Sequence, residues 1–136
     1  MKRNLFGTLS LVALALVLGS VAQAQVVKGD VPFGFTVGNT QLPAGCYRAT
    51  YNDLSRTAIF LSNCETGRQV LALTSSLIGS SNIHPKLVFH QLGTHYFLRE
   101  VWGDGGRGVG IAGTKLEKEM QAANNASTDV IVAMTR

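Results

Sequence analysis

Between residues 31 and 37 the chain alternates. Val31, Phe33, Phe35 and Val37 are apolar, and the residues between them are small or polar. A period of two predicts a half-buried strand. Gly38-Asn39 follows, a pair that tolerates positive φ and suits a tight hairpin, so residues 40–42 are expected to return as a short strand. Leu42-Pro43-Ala44-Gly45 then places proline second and glycine fourth, as a type I turn prefers. The stretch reads as a strand and two turns whose aromatic residues wall a small core.

Residues 46–51 and 57–62 read as the next two strands, with Asn52-Asp53-Leu54-Ser55 between them. Tyr47, Ala49 and Tyr51 are the apolar positions of one strand, Ile59 and Leu61 those of the other. Facing these sets together requires an even-sum register. One such register leaves a loop over residues 54–56 and sets Cys46 opposite Cys64, within reach of a cross-strand disulfide.

Residues 69–74 form a further strand with an apolar centre, and the polar, Gly/Ser-rich residues 75–85 read as a loop. Residues 86–91 and 95–102 form the clearest hairpin, turning at Leu92-Gly93. That register sets Leu87 against Leu98 and Phe89 against Tyr96 on the core face, with Val88 against Phe97 and His90 against His95 on the other. Residues 103–113 read as a glycine-rich connection. Thr114-Lys115-Leu116-Glu117 matches a capping box, and Leu116, Met120 and Ala123 form one apolar stripe of a short helix ending near Asn124-Asn125. Residues 130–134 supply a last strand at a sheet edge. The pattern predicts an all-β domain, a small sandwich or partly closed barrel of about seven strands, with one short helix in its C-terminal half.

The N-terminus changes the picture of where this domain acts. Lys2 and Arg3 precede an apolar run over residues 5–18, and Ala22-Gln23-Ala24 fits a small-x-small processing site. This is the pattern of a secretory signal peptide over residues 1–24, cut between Ala24 and Gln25, leaving residues 25–136 as a single β-rich domain. The apolar run is shorter than the roughly 20 residues a span needs, so no stable membrane span is expected after cleavage. Export to the periplasm or medium would also let a Cys46–Cys64 disulfide persist. Of the twelve Lys and Arg residues two belong to the leader; ten remain against eight Asp and Glu. With so small a net charge and no basic stripe interleaved with aromatics, nucleic acid is not an expected partner.

Two motifs invite chemistry. Gly108-Val109-Gly110-Ile111-Ala112-Gly113 matches a dinucleotide-binding spacing, yet the helix start signal falls at Thr114, after the last glycine, where its amides would not meet a pyrophosphate. No cofactor is expected. His90 and His95, as cross-strand neighbours, are weak candidates for a metal pair that would need Asp104 or His84 as a third ligand. No nucleophile elbow, zinc-protease motif or apolar carboxylate pair is present, so no catalytic residue is assigned and an enzyme is not expected.

The segments VPFGFTVGNTQLPAG, PKLVFHQLGTHYFLREVW and TKLEKEM resemble the small exported proteins of unknown function that recur in soil-dwelling bacteria. The resemblance covers most of the chain after the leader. It implies the order of signal peptide, Val-Pro-Phe strand, Leu-Pro-Ala-Gly turn, hairpin and short charged helix, and it implies no activity. Those proteins usually carry a Leu-Pro-Lys-Ser-like approach to the helix and no cysteine after the Pro-Ala-Gly turn, so the disulfide is specific to this chain's residues. The expected function is a non-catalytic envelope or secreted module that acts on a protein or envelope partner. The alternatives are a periplasmic carrier holding a small apolar ligand inside a barrel, or weak metal binding at His90 and His95.

Overall fold

The computed structural model describes residues 24–52, 55–80, 84–123 and 126–136. The expected leader over residues 1–23, the turn residues Asp53 and Leu54, and the expected helix end at Asn124-Asn125 lie outside the described residues. Among the described residues the fold is all-β with one short α-helix. The strands are β1 (Ala24–Val31), β2 (Phe35–Val37), β3 (Thr40–Leu42), β4 (Gly45–Asn52), β5 (Ala58–Asn63), β6 (Gln69–Gly79), β7 (Lys86–Leu92), β8 (His95–Trp102), β9 (Arg107–Ile111) and β10 (Thr128–Ala133); the helix is α1 (Lys115–Ala123).

The ten strands are joined in one sheet, in the order β1-β4-β5-β6-β9-β8-β2-β3, with β7 also on β8 and β10 on β7. The sheet folds over into two layers but does not close into a barrel: the chain just beyond β10 meets the edge strand β1 in an isolated bridge, Thr135 to Lys28. The layers share β6. Its first half pairs with β5 and its second half with β9, and a bulge between Thr74 and Ser76 marks the crossing. Such a bulge bends a strand from one layer into the next. Residues 75–79, expected as loop, are therefore strand.

The pattern of residues 31–37 is right about burial and wrong about continuity. Val31, Phe35 and Val37 are buried and Phe33 is half-buried. Yet Val31 closes β1 in the first layer and Phe35 opens β2 in the second, because Pro32 lacks a ladder N–H and Gly34 adds flexibility where the chain changes layer. Strand β1 itself gave no alternating signal. Its inward positions are Gln25, Val27, Gly29 and Val31, and glycine at 29 leaves room for Met134, since a Cβ there would stand 2.5 Å from the Met134 sulfur and 3.0 Å from the Ala133 carbonyl oxygen.

The β4–β5 ladder has the expected register, Tyr47 to Asn63 and Tyr51 to Ile59. Cys46 and Cys64 are joined in a disulfide, with Cα atoms 5.3 Å apart. Tyr47, Tyr51, Ile59 and Leu61 face Phe35, Leu87 and Phe89 across the core. Phe35 meets Tyr47 and Phe89 edge-on at 5.0 and 5.2 Å, an arrangement that aligns positive ring edges with negative faces. The Tyr47 hydroxyl donates to the Pro43 carbonyl at 2.6 Å, tying the Leu-Pro-Ala-Gly bend to β4.

The β7–β8 hairpin has a different register from the expected one. Its loop is Gly93-Thr94, so Leu92 faces His95, His90 faces Phe97 and Phe89 faces Leu98; beyond a bulge at Arg99, Val88 faces Glu100 and Leu87 faces Val101. Glycine fixes this choice. In both two-residue hairpins it takes the first loop position at positive φ, Gly38 at 59° and Gly93 at 62°, where a β-carbon would be strained. The expected core face nevertheless stands: Leu87, Phe89 and Leu98 are buried and Tyr96 half-buried. The opposite face is buried as well at Val88, Leu92, Phe97 and Trp102.

The glycine-rich connection also contains a strand, β9. Its Gly-Val-Gly-Ile alternation sends Val109 and Ile111 into the core. Gly108 and Gly110 lie on the other face, where a Cβ would come 2.8 Å from the Trp102 ring and 2.5 Å from the Ser76 hydroxyl. These glycines allow close packing of an antiparallel strand, so the dinucleotide-like spacing does not form the strand-turn-helix that phosphate binding needs.

Candidate functional site

The helix is held by charge, not by its apolar stripe. Thr114 caps it by accepting from the Glu117 amide at 3.3 Å. Leu116, expected to face inward, is 54% exposed, while Glu117 is only 5% exposed. The expected return of the Glu117 carboxylate to the Thr114 amide does not occur. The bulge in β8 turns Arg99 toward the helix, and Arg99 Nη1 lies 3.4 Å from Glu117 Oε2. His90 Nδ1 lies 3.5 Å from Glu117 Oε1, and His90 Nε2 lies 3.0 Å from Asp129 Oδ1 on β10. Charge-assisted partners of this kind outweigh a neutral amide. The tetrad joins α1, β7, β8 and β10, and its members His90, Arg99 and Asp129 line a small cleft of about 130 Å³.

Replacing Glu117 with alanine removes the carboxylate from Arg99 and His90. A loss of about 1–3 kcal/mol is expected, near the lower end because both partners reach solvent, with amide protection lost first in α1. Glu119→Ala serves as the comparison. Among the described residues Glu119 pairs with the exposed Lys115 alone, 3.7 Å away, and its loss should leave the urea midpoint unchanged. Equal midpoints for the two variants would refute the latch.

The other residues singled out in the sequence fall in separate places. His90 and His95 are not directly opposed; His95 is exposed, faces Leu92, and has its ring centroid 6.5 Å from that of Phe97. Asp104, a possible third ligand, pairs with Arg136 at 3.4 Å. The two His90 nitrogens meet carboxylates on opposite sides of the ring, so a metal on either one would reach only one of them. Among the described residues no group of three or more His, Cys, Asp or Glu is placed to hold a metal ion. Ala24 and Gln25 open β1, facing Asn52 and Tyr51.

The feature missed in the sequence is the outward face of β1, β4, β5 and β6. Their registers align Val26, Thr50, Phe60 and Leu71 in one row across the four strands. At the usual strand spacing that row is about 14 Å long. Leu73, outward from β6 opposite Ala58, extends it. Phe60 is 45% exposed, Leu71 55% and Leu73 66%. The next row carries Lys28, Arg48, Ser62 and Gln69. The signal was present as Phe60, Leu71 and Leu73 at strand positions out of phase with the buried ones, but recognising it required the register. At the β6 side the row borders an open cleft of about 570 Å³ between the β2–β3 turn and the start of α1.

Fold and surface together define a small two-layer β-domain with a filled interior and an outward apolar face. Compared with known proteins, the chain matches no family model, no curated protein and no solved structure. Among the described residues no helix is long and apolar enough to cross a membrane.

Proposed function

We propose that this protein is an exported, non-catalytic interaction module that engages an envelope or secreted partner through the outward face of β1, β4, β5 and β6. The observation that carries this reading is the exposed apolar group Phe60, Leu71 and Leu73, with Val26 beyond Thr50 in the same row, on a sheet pinned by a disulfide. Isolated apolar side chains on a surface need no explanation, but a contiguous patch rimmed by polar residues marks a contact site. The disulfide supports an oxidising compartment, and cleavage after Ala24 would leave β1 nearly whole. Charge supports the non-catalytic part, since the buried carboxylate of Glu117 is spent on holding α1. A ligand inside the fold would have to displace Tyr47, Phe35 or Phe89, which disfavours the carrier reading.

Oxidative footprinting tests the proposal. In the exported fraction, labelling of Phe60, Leu71 and Leu73 should fall relative to the purified protein, while that of Leu116, equally exposed on α1, stays constant. The same labelling in both samples would overturn the contact surface.

A further inference from the structure

The stretch from Val31 to Gly45 walls the core with Val31, Phe35, Val37 and Leu42, while Phe33, Thr36 and Gln41 line an external cleft. The cleft measures about 370 Å³ and is bounded by Phe33, Thr36, Gln41, Thr94, His95 and Tyr96. It continues past Gly34 and Gln41 into a second hollow of about 360 Å³ over Pro43. We infer that this groove is a binding site for a neutral saccharide.

Three observations converge on that chemistry. Phe33 and Tyr96 both line the groove and are stacked with ring centroids 3.9 Å apart and planes 15° from parallel, which holds this apolar part of the wall rigid. Thr36 and Gln41 face each other across β2 and β3, on the outward side, and Thr94 sits in the β7–β8 turn. Among the described residues the side chains of Thr36, Gln41 and Thr94 make no hydrogen bond, so an amide and two hydroxyls are available as both donors and acceptors. No Asp, Glu, Lys or Arg lines either hollow, so nothing there would compensate an amine, and the imidazole of His95 is the one lining group that could meet a phosphate or a carboxylate.

An aromatic floor with a few convergent uncharged polar groups, in a volume of this order, is the make-up of a small-ligand site. A sugar matches it on both counts: its C–H face packs on an aromatic surface, and its hydroxyls exchange hydrogen bonds with amide and hydroxyl side chains. A purely apolar ligand would leave Gln41 and the two threonines desolvated and unpaired, at a cost. The walls are preset, because β2 is bridged to β8 at Thr36 and Phe97. The groove shares no residue with the outward face of β1, β4, β5 and β6, so either assignment can fail without the other.

The test is an NMR titration of the protein, followed by its amide signals, with soluble cello-, malto- and chito-oligosaccharides as probes. Saturable shifts are expected for at least one probe, confined to residues 33–36, 41 and 94–96. Gln41→Ala and Thr94→Ala, both at exposed positions, should each weaken binding about fivefold, the equivalent of one hydrogen bond, with the urea midpoint unchanged. No saturable shift with any of the three probes would overturn the inference. So would binding unaffected by both variants, or shifts centred elsewhere on the molecule.

Discussion

Phe89→Ala is expected to destabilise the domain by about 3–5 kcal/mol, the largest effect of any single truncation considered. Phe89 is fully buried on β7, between Leu98 of β8 and Val130 of β10. Its ring meets Phe33 edge-on at 5.1 Å and Phe35 at 5.2 Å, and Phe35 in turn meets Tyr47 at 5.0 Å. The ring therefore stands where the two layers touch. Its removal leaves a cavity beside Phe35, held in the β2–β3 ladder, and Phe33, held by its stack on Tyr96, so the site cannot collapse far. Against a typical total of about 5–15 kcal/mol, the variant should be partly unfolded at room temperature or melt at a much lower urea concentration. A midpoint within error of the parent would show that the layers are not joined there. The prediction also bears on the saccharide groove, because Phe33 rests on Phe89 and forms its floor with Tyr96.

Reduction of the Cys46–Cys64 disulfide is expected to cost about 3 kcal/mol in the chain-entropy description. The two cysteines are 18 residues apart and enclose the whole β4–β5 connection. Cys64 is exposed, so a reductant can reach it in the folded protein. The Cys64 amide donates to the Cys46 carbonyl at 2.9 Å, and the bridge thus locks a register the ladder already favours. The consequence for the proposed contact surface is direct. The register that sets Cys46 against Cys64 also sets Arg48 against Ser62 and Thr50 against Phe60. A slip by one residue would send Phe60 to the core and Ile59 to solvent. Urea unfolding with and without reductant measures the loss, and the Cys46→Ser/Cys64→Ser variant should reproduce it. No shift in either experiment would mean that the ladder alone specifies the register.

Much of this was legible in the sequence, where side-chain pattern and turn chemistry agree. Facing Tyr47, Ala49 and Tyr51 with Ile59 and Leu61 restricts the pairing to even-sum registers, and the one that leaves a loop over residues 54–56 and sets Cys46 opposite Cys64 is the one observed. The hairpin at Gly38-Asn39 was equally plain. The β7–β8 register was misplaced by two residues. Both registers bury Leu87, Phe89 and Leu98, so hydrophobic pattern does not distinguish them; the requirement for glycine at the first loop position does. That shift separated His90 from His95 and placed His90 between Glu117 and Asp129.

The sequence by itself determined the class of fold, the identity of most inward residues, the disulfide and the helix cap, because these depend on neighbours a few residues away or on a period of two. Only the tertiary structure decided which way the helix faces, since Arg99 and His90 come from strands distant in the chain and outbid Leu116 for the inner side. It also decided that Gly108 and Gly110 are packing positions beneath Trp102 and beside Ser76, not a loop. And it assembled the row of Val26, Phe60 and Leu71 and the groove between Gln41 and Tyr96, because a surface is made by strands laid side by side, and their order cannot be read along the chain.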